Sequence, residues 1–308
     1  LCLVGSEMCI RDSYNSIMKN VNIVCTSKPG DGLFHYSYEH CCFLNDLGIN
    51  TKLIIIPNKK HIEQDYIDAI NECYIKCENI VFNDYMPRSD DITLIMGRSM
   101  LTLAYLDYNS YTEEQKLTLH SLFGGKLISV YSENHPKEYP LAVEHYNFAP
   151  EKVVDLCDHE VYVNGVGDQF EKIINFSIYK PVVDNIQFKY LFLGTNRTYY
   201  REVEKHIKDY SSHGILAYKD KYINEKRNHV FVPVKNLLGL FDTYVYTKPN
   251  FDPAPRIIQE CKWLGKEVIY LRDKSKKDGG PVYWERPAKC LTEQKDKIKN
   301  LLKWIEKL

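Results

Sequence analysis

The chain has 308 residues, of which 44% are hydrophobic and 26% are charged, and its formal net charge is −1. This balance excludes an intrinsically disordered protein, and the near-neutral charge excludes a general electrostatic attraction to polyanions. No apolar run approaches the ~18 residues that cross a bilayer, so the sequence predicts no membrane insertion.

Residues 1–13, LCLVGSEMCIRDS, resemble a translated sequencing adapter. A signal peptide is the alternative, but Glu7, Arg11 and Asp12 interrupt the apolar stretch that such a peptide needs. We treat the segment as an adapter-derived artefact and leave it out of the fold prediction. Eight cysteines lie outside residues 1–13. They form no C-x-x-C pair and have no zinc-finger spacing, which predicts that the protein has no metal site and works in a reducing, cytoplasmic environment.

Strands and helices alternate from Val21 onward. In the first half the pattern predicts strand Val21–Thr26, a helix up to Leu47, strand Thr51–Pro57, helix His61–Cys77, strands Asn79–Phe82 and Ile92–Met96, helix Thr112–Phe123, strand Lys126–Tyr131 and a strand within Val153–Val163. Gly48 stands where a helix C-terminus favours glycine. Alternating units of this length indicate a parallel sheet covered by helices.

The second half repeats the pattern. It predicts strand Phe188–Leu193, helix Tyr199–Tyr210, strand Val230–Pro233, short helix Lys235–Phe241, strand Tyr244–Thr247, helix Pro255–Leu264, strand Glu267–Leu271 and an amphipathic helix Thr292–Leu308. The expected fold class is α/β, with two Rossmann-like parallel-sheet domains facing each other across a cleft. The expected boundaries are an N-terminal domain 14–163, a linker 164–185, a C-terminal domain 186–285 and a closing helix 286–308. Ligands bind at the carboxyl ends of the strands in such folds.

The segment NFDPAPRIIQECKWLGKEVIYL carries the strongest chemical signal. Asp252 and the two prolines after it are typical of a helix start. Arg256 and Glu260 are four residues apart and share one helix face. A helix N-terminus favours a diphosphate, Arg256 could add a charge-assisted contact, and Glu260 could accept hydrogen bonds from a ribose diol. The alternative is a capped helix with an ordinary Arg–Glu ion pair.

A second segment, LFLGTNRTYYREVE, places Gly194 at the end of a strand. Asn196, or the threonine before it, can cap the helix that follows. Arg197 and Arg201 are four residues apart, near the start of that helix. Two guanidinium groups beside a helix N-terminus suit a pyrophosphate leaving group. The alternative is a solvated basic helix start.

The loop KPGDG follows the first strand and contributes Gly30, Asp31 and Gly32 as candidate acceptor or phosphate contacts. It matches neither the dinucleotide-binding nor the P-loop pattern. A metal-binding D-x-D motif is also missing, since Asp90 and Asp91 are adjacent. The sequence therefore predicts metal-independent chemistry without a required cofactor.

Together with the strand and loop Lys126–Pro136, these segments resemble the DNA β-glucosyltransferase of T-even phages and related phage glycosyltransferases of the GT-B type. The matching pattern covers about half of the chain. The resemblance implies a hexosyltransferase that uses a nucleotide-diphosphate sugar, with a UDP-sugar as first choice. It implies that Arg197 and Arg201 hold the donor diphosphate and that Glu260 holds the ribose. Residues 14–163 would then be the acceptor side and residues 186–285 the nucleotide-sugar side.

The resemblance also implies a general base after strand Lys126–Tyr131. This chain has Glu133 there, where the family has an aspartate, and its spacing from Arg256 to Glu260 differs from the family's by one residue. An inverting transfer needs one group to take the acceptor's proton while the diphosphate leaves. His135 could serve as well. The alternative is that both are ordinary polar loop residues.

Two other functions stay open. One is a nucleotide-sugar epimerase on the same architecture, and the other is a non-catalytic protein that binds nucleotide sugars or glycans. The basic residues of the predicted diphosphate site argue against the second. The sequence leaves the acceptor open among a glycan, a lipid, a protein and modified DNA, although a neutral chain lacks the basic surface that DNA binding requires. A phage-encoded enzyme would act in the host cytoplasm.

Overall fold

The structure is a computed structural model that describes residues 20–57, 60–75, 79–84, 91–96, 112–115, 126–131, 153–157, 176–194, 197–216, 229–230, 237–247 and 256–271. Its strands are β1 Val21–Cys25, β2 Thr51–Ile55, β3 Ile80–Phe82, β4 Ile92–Met96, β5 Lys126–Tyr131, β6 Val153–Cys157, β7 Phe188–Leu193, β8 His213–Leu216, β9 His229–Val230, β10 Phe241–Tyr246 and β11 Glu267–Tyr270. The helices whose bounds the described residues give are α1 Gly32–Asp46, α2 Glu63–Cys73, α3 Arg197–His206 and α4 Arg256–Trp263.

Within the described residues, the first sheet has six strands in the order β3-β2-β1-β4-β5-β6. Every neighbouring pair is parallel, as in the register Val21↔Thr51 on one side of β1 and Val21↔Ile92 on the other. The chain starts at the middle of the sheet, builds outward to β3, and then returns to build outward on the other side of β1. This is the Rossmann strand order, and it leaves the switch point between β1 and β4.

Helix α1 follows β1 and is buried continuously from Phe34 to Leu44. Two of its buried polar side chains bond to their own helix, since the Ser37 hydroxyl donates to the Leu33 carbonyl and His40 Nδ1–H donates to the Tyr36 carbonyl. The helix ends before Gly48, whose φ of 85° is a left-handed conformation that glycine adopts without strain. The sequence-based prediction of this helix end is therefore confirmed.

The described strands of the second sheet are five, in the order β11-β10-β7-β8-β9, and all of them are parallel. Read from its first strand β7, it repeats the central order of the first sheet and has its switch point between β7 and β10. Helix α3 packs against it through Tyr200 and Val203, which join Phe192, Ile215 and Val245 in one buried cluster. The prediction of two Rossmann-like parallel sheets is confirmed by the strand order of both.

Three local predictions differ from the structure. Strand β8 was not predicted, because its sequence HGIL is short and contains glycine, a poor strand former. The short helix predicted at Lys235–Phe241 is helical at Leu237 and Leu238, but its predicted end is wrong, because Phe241 begins β10 and pairs with β7. Helix α2 ends at Cys73 rather than Cys77, and Tyr74 instead forms a β-bridge with Tyr179.

The described residues divide into two compact units. The first holds the described residues up to 71 and between 76 and 177, and the second holds residues 72–75 with the described residues from 178 onward. The predicted linker 164–185 thus contributes its last residues to the second unit. The adapter-like residues 1–13 and the predicted helix Thr292–Leu308 lie outside the described residues. In the described part of the chain, no helix combines the length and apolar character needed to cross a membrane.

Gly239 provides a test of packing in the second unit. The Asn185 amide donates to the Gly239 carbonyl at 2.8 Å, and a Cβ at Gly239 would overlap the Val183 carbonyl oxygen. Gly239→Ala should therefore lower the free energy of unfolding by about 1–3 kcal/mol, the usual cost of overpacking. Urea denaturation followed by circular dichroism measures this change.

Gly32→Ala is the matched control. Gly32 is the first residue of α1, and a Cβ there would meet no atom within 4 Å. Alanine should leave stability unchanged or raise it by about 0.4–1 kcal/mol, because it restricts the unfolded chain. Equal losses in the two variants would contradict the packing described around Gly239.

Candidate functional site

The switch point of the second sheet brings two helix starts to the same edge. Strands β7 and β10 are neighbours, paired from Phe188↔Phe241 to Phe192↔Val245. Helix α3 follows β7 and begins at Arg197, and helix α4 follows β10 and begins at Arg256. In open parallel sheets, ligands bind outside the carboxyl ends of the strands at such a point. Both predicted basic segments therefore belong to the edge where a ligand is expected.

Arg256 and Glu260 form the ion pair that the sequence left open as the alternative to a donor site. Arg256 Nε donates to Glu260 Oε1 at 2.8 Å, and the side chains are only 10% and 3% exposed, respectively. At this burial the two charges depend on each other, because an isolated charge in the protein interior costs several kcal/mol.

Two tyrosines that sequence reasoning missed complete this arrangement. The Tyr179 hydroxyl donates to Glu260 Oε1 at 3.1 Å, and the Arg256 guanidinium lies 5.7 Å from the centre of the Tyr179 ring. An Arg256 terminal nitrogen lies 3.5 Å from the Tyr74 hydroxyl oxygen, at the long limit of a hydrogen bond. We call Tyr74, Tyr179, Arg256 and Glu260 the arginine–tyrosine cluster.

No local sequence signal marked these tyrosines. Tyr179 lies in the stretch assigned to the linker, and Tyr74 lies at the end of a helix far away in the chain. The rings of Tyr74 and Tyr179 meet edge to face, with centroids 5.0 Å apart. With 24 tyrosines in the sequence, residue type alone does not single out these two.

Gly194 has a packing reason for being glycine. A Cβ there would lie 3.0 Å from the Tyr200 ring and 3.1 Å from a methyl group of Ile215. Gly194 also extends the β7–β8 pairing, since its amide donates to the Leu216 carbonyl at 2.8 Å. Close packing of α3 on the sheet therefore explains this glycine without any ligand.

The structure describes the other predicted donor residues to different extents. Arg201 is exposed, one turn into α3, and the structure describes only the backbone of Arg197. Asn196 and Asp252 lie outside the described residues. Their roles stay predictions.

The first sheet offers a second polar loop at its own switch point. The chain turns after β1 at Gly30, whose φ is 78°, and Asp31 stands at the N-cap of α1 without a side-chain capping bond. Reduced hydration raises the pKa of Asp31, and the positive charge of Lys28 and a hydrogen bond from its backbone oppose the rise. Because the Asp31 side chain is solvent-exposed, the rise of its pKa is limited.

The candidate bases Glu133 and His135 follow β5 in the chain and lie outside the described residues.

Two cysteines close to the candidate residues are not nucleophiles near neutral pH. Burial raises the pKa of Cys25, at the end of β1, to about 11. Burial and the negative charge of Glu260 also raise the pKa of Cys261 on α4, against a smaller opposing effect of Lys266. Neither thiol forms a thiolate readily. Among the described residues, no group of three His, Cys, Asp or Glu side chains could hold a metal ion.

A scan against protein-family models gives no match, and a search of curated proteins gives none. Among solved structures, the chain is similar to WaaG, a glycosyltransferase involved in lipopolysaccharide biosynthesis, with 13% identity and a TM-score of 0.35 over 91% of this chain and 92% of that one. It is also similar to a protein assigned as a UDP-N-acetylglucosamine 2-epimerase from Listeria monocytogenes, with 8% identity and a TM-score of 0.37 over 93% and 91%, respectively. Likenesses this distant carry no argument about activity or substrate.

The buried ion pair yields a stability prediction. Arg256→Met leaves the Glu260 carboxylate buried without its counter-charge and should cost about 3–5 kcal/mol of unfolding free energy. The double variant Arg256→Met/Glu260→Leu removes both charges and should recover most of that loss. Urea denaturation of both variants measures the difference.

Arg201→Met is the control, because it removes an exposed arginine from the same unit and should change stability by about 0.5 kcal/mol at most. If the double variant loses as much stability as the sum of its two single variants, Arg256 and Glu260 are not energetically coupled. That result would contradict the ion pair.

Proposed function

We propose that the protein transfers a sugar from a nucleotide-diphosphate sugar, with a UDP-sugar as first choice, to an acceptor hydroxyl. The observation that carries the proposal is the switch point between β7 and β10, where the helices that follow both strands begin with an arginine. Two helix N-termini next to each other offer unpaired N–H groups and positive partial charge to one diphosphate.

In this proposal, different residues bind the diphosphate and the ribose of the donor. The helix N-termini, Arg197 and Arg201 bind the diphosphate and stabilise the charge that develops as it leaves. Arg256 donates to Glu260 through its Nε and places a terminal nitrogen next to Tyr74, and its positive charge is assigned to the phosphate oxygens. Glu260 accepts hydrogen bonds from the ribose hydroxyls.

The acceptor half of the reaction is assigned to the first unit. Glu133, or His135 in its place, takes the proton of the acceptor hydroxyl, and the hydroxyl oxygen displaces the diphosphate with inversion at the anomeric carbon. Gly30, Asp31 and Gly32, at the switch point of the first sheet, are proposed to contact the acceptor or the phosphates. The proposed reaction uses no metal ion, since helix N-termini and arginines supply the positive charge. A glycan, lipid, protein or modified DNA remains a candidate acceptor.

Glu260→Gln tests donor binding. The neutral amide keeps the size of the side chain but loses the charged acceptor, so affinity for UDP should fall roughly tenfold to a hundredfold, which corresponds to about 1.5–3 kcal/mol. Isothermal titration of wild type and variant measures this, after a thermal-shift screen with UDP-, GDP- and TDP-sugars has identified the best donor.

Glu202→Gln is the matched control, since Glu202 lies on α3 and pairs at the surface with Lys205 at 2.7 Å. It should leave UDP affinity unchanged. Unchanged titration of the Glu260→Gln variant would remove the ribose contact from the proposal. Conversion of the nucleotide sugar into an isomer without any acceptor would indicate an epimerase instead.

Glu133→Gln tests the general base. The amide cannot take a proton, so donor binding should survive while turnover falls about 10²–10⁴-fold, the usual contribution of a positioned base. Release of UDP from a UDP-sugar, with water or an identified acceptor, gives the rate. His135→Asn removes the nearest competing base, and loss of turnover in that variant with normal turnover in Glu133→Gln would exchange the two roles.

A further inference from the structure

We propose that Tyr179 is a positioning residue for Glu260, and that the carboxylate held in this way makes the donor site selective for ribonucleotides over 2′-deoxyribonucleotides. This inference rests on the proposed function, because it needs Glu260 to contact the donor ribose. It adds the substrate class: UDP- or GDP-sugars rather than TDP-sugars.

One carboxylate oxygen of Glu260 accepts hydrogen bonds from two donors. Arg256 Nε and the Tyr179 hydroxyl both donate to Glu260 Oε1, at 2.8 and 3.1 Å. The two donors approach from different parts of the chain and converge on the same atom. A carboxylate bound in this manner cannot rotate without breaking at least one of these charge-assisted hydrogen bonds.

Tyr179 is itself held in place by backbone hydrogen bonds of its neighbours and by a ring contact. The Ile75 amide donates to the Ile178 carbonyl at 2.8 Å, and the Lys180 amide donates to the Cys73 carbonyl at 2.9 Å. Its ring also contacts the Trp263 ring, with centroids 5.7 Å apart. A donor fixed by backbone pairing and ring contacts orients its acceptor with little loss of entropy on ligand binding.

A fixed carboxylate at Glu260 would distinguish a ribose from a 2′-deoxyribose. The two adjacent hydroxyls of a ribose can donate to one carboxylate, whereas a 2′-deoxyribose retains only one of them. Glu260 is 3% exposed, and hydrogen bonds in such surroundings are stronger than in water. Because the fixed carboxylate cannot turn toward a substitute donor, loss of the 2′-hydroxyl should reduce the binding free energy of the nucleotide by almost the whole contribution of that hydrogen bond.

The experiment titrates the full chain with UDP and with 2′-deoxy-UDP. Wild type should prefer UDP about tenfold or more. Tyr179→Phe should lower UDP affinity roughly fivefold to tenfold and leave 2′-deoxy-UDP affinity within about twofold, so that the preference collapses. Tyr210→Phe, which removes a tyrosine hydroxyl outside the arginine–tyrosine cluster, should leave both affinities and the preference unchanged.

Each other outcome has a defined meaning. Equal weakening of both ligands by Tyr179→Phe assigns the hydroxyl a purely structural role and overturns the proposal, as does unchanged UDP affinity. Equal affinity of wild type for the two ligands overturns it without any variant, even if Tyr179→Phe fails to fold. If UDP binds wild type and Glu260→Gln weakens it while Tyr179→Phe does not, only this inference fails. If wild type binds neither UDP nor GDP, the proposed function fails as well.

Discussion

The buried carboxylate of Glu260 is the constraint on which the candidate site of the second unit depends. A charge that is 3% exposed must be compensated inside the protein, and Arg256 and Tyr179 both do so at the same oxygen. These contacts join helix α4 to the stretch around Tyr179, and Arg256 extends them to Tyr74. Three segments that are far apart in the chain therefore meet in the arginine–tyrosine cluster, and residues 72–75 belong to the second unit.

The strand order decides where this cluster lies. Because β7 is the first strand of the second sheet and β10 returns to its other side, the helices after these two strands begin at the same edge. A different order would separate Arg197 from Arg256 by the width of intervening strands, each adding about 4.8 Å. The parallel topology therefore converts two local strand–turn–helix segments into one potential anion site.

Several residues of the candidate site also have structural roles. Gly194 lets Tyr200 and Ile215 pack closely, and Arg256 neutralises a buried acid that would otherwise destabilise the fold. Such double roles mean that stability and binding must be measured separately for every variant.

The sequence by itself determined what short-range physics controls: the apolar strands, the helix end before Gly48 and the parallel α/β class. It also placed Arg256 and Glu260 one helical turn apart, with an ion pair as the alternative to a donor site. It did not reveal strand β8, whose four residues are stabilised by pairing with β7 rather than by their own propensity. It also did not reveal Tyr74 and Tyr179. Only the tertiary structure decided their role, because contacts across 81 and 182 residues of sequence arise from chain folding and leave no periodic pattern to read.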